Sequence, residues 1–130
     1  MKKGIIALLL FFVFFIILYF YLFQNHRDIN SEIATFTVTT TTLNEDFKND
    51  SAKANKKYLD QTIIVSGILT FFDLKSKSII IDNTVYATFI TKKFPSVKVG
   101  RTISIKGRFL GYDDLLEQFK VDQISIVQQK

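Results

Sequence analysis

The chain has 130 residues, 48% of them hydrophobic and 22% charged, and a formal net charge of +5. With the apolar start set aside, that length holds one compact domain. There is no cysteine, which excludes disulfides, thiolate metal sites, a cysteine nucleophile and a lipidated cysteine.

Residues 1–3 form a short basic tip, and Gly4 to Phe23 then run for 20 positions without a charge. A helix rising about 1.5 Å per residue makes this about 30 Å, the thickness of a bilayer's hydrocarbon layer. A cleaved signal peptide would need a shorter apolar core and a small-x-small cleavage site, and neither is present. The segment therefore reads as a single-pass transmembrane helix and the only anchor. Lys2, Lys3 and the amino terminus precede it, whereas Arg27 follows with Asp28 alongside. That asymmetry predicts a cytoplasmic N-terminus and a periplasmic or otherwise extracytoplasmic domain.

Residues 24–42 are polar and then threonine-rich, and are expected to be a stalk. Thr42 and Glu45 have capping-box spacing, which predicts that residues 43–130 form the domain and open with a helix over 43–59. Leu43, Phe47, Ala54, Tyr58 and Leu59 supply its apolar stripe.

Beyond Asp60, β-branched and aromatic runs cut every 8–12 residues predict five antiparallel strands: Thr62 to Phe72, Ser78 to Ile81, Val85 to Thr91, Thr102 to Leu110, and Leu116 to Val127 with a break near Asp122. Alternation sends Ile63, Val65, Gly67, Leu69 and Phe71 inward on the first, and Ile103, Ile105, Gly107 and Phe109 inward on the fourth. A glycine in mid-strand marks a bend at which a small sheet can curl. The segment Lys92 to Gly100, with Pro95 inside it, is placed to cover one open end. The expected fold is an all-β barrel with one flanking α-helix, in the five-stranded layout of the oligonucleotide/oligosaccharide-binding (OB) fold.

Asp50, Ala54 and Asn55-Lys56-Lys57-Tyr58-Leu59 come first, then Ile64-Val65-Ser66-Gly67. Val99-Gly100, Ile103-Ser104-Ile105-Lys106-Gly107 and Gly111-Tyr112 complete a series. On these motifs the chain from Leu43 to about Ile126 resembles the tRNA_anti-like family, OB-fold lipoproteins and membrane-anchored proteins of Bacteroidetes. The resemblance implies an OB fold and an envelope location, with no settled activity. Family members often carry cysteines in the third to fifth strands; here Thr88, Phe109 and Gln123 stand at roughly those places.

From Ile33 onward there are 14 basic and 10 acidic residues. Single-stranded nucleic acid would require a positive groove with stacking aromatics. Tyr86 and Phe89 with Lys92, Lys93, Lys106 and Arg108 are the candidates, although Tyr86 and Phe89, three apart, fall on opposite strand faces. Ser66, Thr70, Ser104, Lys106 and Arg108 can instead line a polar groove for an envelope protein or glycan, against the plainer reading of a solvated sheet face. Lys92, Lys93, Lys98 and Arg101 could touch anionic headgroups if the barrel lay close to the membrane. His26, the only histidine, sits at the membrane edge. Asp113, Asp114 and Glu117 read as turn chemistry rather than a cation site. No catalytic set, metal site or cofactor motif is found. The expectation is a membrane-held binding module, with nucleic-acid binding as the alternative and nothing to fix the oligomeric state.

Overall fold

The computed structural model describes residues 1–24, 27–91 and 94–129. The apolar run forms α1 (Lys2–Leu22), whose side chains contact no other part of the described chain closely enough to be buried. It is a candidate membrane span by length and composition.

The expected barrel is present, and it is closed. Its strands are β2 (Thr62–Asp73), β3 (Ser78–Ile81), β4 (Val85–Phe89), β5 (Thr102–Asp113) and β6 (Gln118–Gln129). They pair in the order β2-β3-β4-β6-β5, and β5 returns to β2. All the pairings are antiparallel except β4 with β6, the parallel contact that closes an OB barrel. The first half of β2 pairs with β5 and the second half with β3, so this strand must bend between the two. Gly67 lies at the bend, where a Cβ would overlap the Asp82 carboxylate and the Ile81 side chain. At Gly107 a Cβ would come within 2.8 Å of the Asp122 carbonyl oxygen and closer still to Ile124 and Val121. Both glycines are thus required by close approach.

Three features differ from expectation. The supposed stalk contains a sixth strand, β1 (Phe36–Thr39), which pairs in parallel with Ile63–Ser66 of β2. The helix starts earlier than the capping-box spacing suggests, because Thr39 ends β1 and its hydroxyl accepts the Thr42 amide at 3.1 Å. It is also two helices, α2 (Thr40–Asn49) and α3 (Ser51–Tyr58). Asp50 divides them in an extended conformation, where its carboxylate caps α3 through the Lys53 amide. Leu59 falls beyond α3 and is 45% exposed, so it leaves the stripe.

The third difference lies in β2. Leu69 pairs with Ile81 and Phe71 with Ile80, so Thr70 is an extra residue at a bulge. The side-chain parity shifts there. Phe71, expected inside, faces outward and is 50% exposed, while Phe72 turns in toward Phe94. On β6, Asp122 and Gln123 likewise form an irregularity opposite β4, with Gln123 at a φ of 51°.

Aliphatic rows fill the barrel and aromatic rings close its ends. Phe47 packs on Tyr58, Phe109, Phe119 and Tyr112, which seats the helices over one end. Phe94 packs on Phe72 and Phe89 at the other, so the connector covers the barrel as expected.

Candidate functional site

The polar residues proposed for a groove on β2 and β5 come together on the outer sheet face, but their hydrogen-bonding capacity is spent internally. The Ser66 and Ser104 hydroxyls bond each other at 2.7 Å. Thr70 donates to the Ile80 carbonyl at 3.0 Å, and its hydroxyl receives the Asn83 amide. Arg108 forms a two-pronged pair with Asp122, at 2.9 and 2.6 Å, which keeps the guanidinium pKa above its ordinary value. Such forked pairs fix orientation as well as charge. Lys92 and Lys93 lie outside the described residues.

Lys106 has the most informative partners. Its ammonium donates to the carbonyls of Asn30 and Glu32, at 2.7 and 3.0 Å. The segment following α1 is therefore folded back on the barrel. Arg27 bonds the Glu32 carboxylate at 2.9 Å and the Asp60 carbonyl at 2.8 Å. Thr62 donates to the same Glu32 carboxylate. Ile29 is fully buried and shares a shallow crevice with Ile90 and Gln123. A groove over Lys106 is consequently occupied by the chain itself.

Arg27, followed by Thr62, holds the Glu32 carboxyl at about 2, below its ordinary 4.5. A depressed carboxyl stabilises the docked state fully above its ordinary value and loses that contribution as pH falls through the folded one. Docking of residues 27–35 should accordingly weaken between about pH 4.5 and 2. The carboxyl carbon shift of Glu32, followed by NMR, is expected to titrate with a midpoint near 2. A midpoint at 4.5 would show that the ion pair does not form.

The uncovered part of the sheet is elsewhere. Register aligns Phe71 with Ile80, Ile80 with Tyr86, and Tyr86 with Lys120, giving one outward row across β2, β3, β4 and β6. Phe71 is half exposed, and the others are partly so. The Lys120 ammonium lies 4.5 Å from the centroid of the Tyr86 ring, a cation–π geometry. The β2–β3 and β5–β6 loops lie at the two ends of this face and carry the exposed Leu74, Leu115 and Leu116. Of the row, sequence reasoning picked out Tyr86 alone. Phe71 was hidden by the bulge, which leaves no mark in a periodicity count.

The architecture is that of an OB domain, with its open face between the first-to-second and fourth-to-fifth strand loops. The family model described as tRNA_anti-like matches residues 1–125. The chain belongs to the tRNA_anti-like family. Its match takes in α1 and the docked segment as well as the barrel, so the tRNA_anti-like pattern is not confined to the OB domain. Neither the curated proteins nor the solved structures contain a match to the chain.

The acids of the β5–β6 loop form a turn. Asp113 accepts the Leu115 and Leu116 amides, at 3.0 and 3.1 Å. Among the described residues no group of three His, Cys, Asp or Glu side chains is arranged to hold a metal. His26 lies outside the described residues.

Proposed function

We propose that this tRNA_anti-like chain is a single-pass, membrane-anchored binding module, with its OB domain on the extracytoplasmic side. It recognises an envelope protein or glycan without catalysing a reaction. The observation that carries this reading is the outward row Phe71–Ile80–Tyr86–Lys120. An uncovered strip of aromatic and aliphatic side chains suits the apolar side chains of a protein or the C–H faces of a sugar ring. It suits a polyanion poorly. Lys106 and Arg108, which a nucleic-acid groove would use, are engaged with backbone carbonyls and Asp122. Lys2 and Lys3 before α1 support the orientation.

The test is a photo-crosslinking residue at position 71 in the full chain, expressed in its native membrane, together with a phosphatase fusion at the carboxyl end. The expected result is an active fusion and an envelope protein or glycan strand crosslinked at position 71, with capture reduced by Tyr86→Ala. An inactive fusion with nucleic acid captured would replace this reading by the single-stranded nucleic-acid alternative.

A further inference from the structure

The docked segment fixes how far the barrel can stand from the membrane. From Arg27 onward the chain is part of the folded body, since Arg27, Glu32, Lys106 and the buried Ile29 all tie it to the sheet. α1 ends at Leu22. Between Phe23 and Arg27 the chain can reach at most about 14 Å even when fully extended. The headgroup layer on one side of a bilayer takes about 5–7 Å of that reach. A stalk of 19 residues would have let the barrel float; a tether this short does not.

The surface next to the tether has the composition of an interfacial contact. Arg27 bonds the Asp60 carbonyl, and the Asp60 amide donates to the Phe109 carbonyl at 2.8 Å. Leu59 and Leu110 flank that linkage and are 45% and 46% exposed. Among the described residues no helix or strand covers them. A Cβ at Gly111 would lie 3.9 Å from the Leu59 side chain, so the residue after α3 adjoins the part of β5 that carries Leu110. Lys53 and Lys56 stand exposed on α3, six and three residues before Leu59. Exposed apolar side chains with lysines alongside suit a surface that is apolar within and anionic at its rim.

We infer that Leu59 and Leu110 are the foot on which the domain rests in the bilayer interface, with Lys53 and Lys56 over anionic phospholipid headgroups. This rests on α1 being a membrane span. The barrel is thereby held in one orientation, and its far surfaces, including the Leu74 loop at the opposite end of β2, face away from the lipid.

Because the native chain has no cysteine, single labels can be placed without background. Leu59→Cys, Leu110→Cys and Leu74→Cys in the full chain would each carry an environment-sensitive fluorophore. Each would be reconstituted into phosphatidylglycerol–phosphatidylethanolamine vesicles with a quencher on the lipid near the headgroup. The expected result is a blue-shifted, quenched label at positions 59 and 110 and an unshifted, unquenched one at 74. Adding Ile29→Asp to either of the first two should abolish the difference by undocking the segment. Equal signals at the three positions, from protein that resists alkaline carbonate extraction, would overturn the inference while leaving the anchor intact. Extraction of the protein by carbonate would overturn the anchor itself, and the inference with it.

Discussion

Phe109→Ala should lower the unfolding free energy by about 3–5 kcal/mol, the usual cost of removing a large buried ring. Phe109 is fully buried, with ring centroids 5.8 Å from Phe47, 5.9 Å from Tyr58 and 6.2 Å from Phe119. It thus joins both helices to the barrel. The cavity would open where α2 and α3 meet the sheet, at the end of the domain that also carries Leu59. Collapse around it is restricted, because Tyr58 is held by its bond to the Asp46 carboxylate. That bond keeps Asp46 below the usual carboxylate range. Urea unfolding of the full chain in detergent, followed by near-ultraviolet circular dichroism, measures the loss. Leu115→Ala is the control: the side chain is 96% exposed, and its removal should change stability by less than about 0.5 kcal/mol. Equal effects of the two substitutions would mean that the aromatic cluster does not hold the helices in place.

What could be read from the sequence divides along a physical line. Strand alternation and the two inward glycines are local signals, and they identified the barrel: Gly67 and Gly107 stand where two strands approach too closely for a Cβ. The membrane-length helix was equally local. The features that sequence reading missed depend on partners distant in the chain. Lys106 reaches carbonyls 74 and 76 residues before it, and no periodicity relates a strand lysine to a polar segment that follows a distant apolar helix. β1 is four residues long, too short for its alternation to stand out within a run of threonines. A single inserted residue at Thr70 moved Phe71 from the core to the candidate binding face. The groove expected over Lys106 is thus covered by the chain itself, while the fold class was read correctly. Polar strand residues such as Ser66, Ser104 and Arg108 look alike in sequence whether they await a ligand or bond each other.

Ile29→Asp should undock residues 27–35 and leave the barrel folded. Ile29 is buried, yet it lies outside the cluster of side chains that fills the barrel. Losing its burial removes about 1.5–3 kcal/mol from docking, before counting the cost of an unpaired carboxylate in its place. The docked segment has few other apolar contacts, for Ile33 is 92% exposed. What remains is the Arg27 bond to the Asp60 carbonyl, the Thr62 bond to Glu32 and the two Lys106 bonds, largely exposed polar contacts that do not replace a buried apolar anchor. A glutamate-specific protease reads the outcome: Glu32 should be protected in the native chain and cut in the variant, releasing the barrel from vesicles. Ile33→Asp, at a position already in solvent, should leave the cut rate unchanged. Rapid cutting of the native chain at Glu32 would mean that the segment is a free stalk in solution. The barrel would then move away from the lipid, and its outward row could face any direction. Docking is thus the step that links the fold to the function proposed here, because a short, clamped tether gives the Phe71–Lys120 face a fixed bearing relative to the membrane.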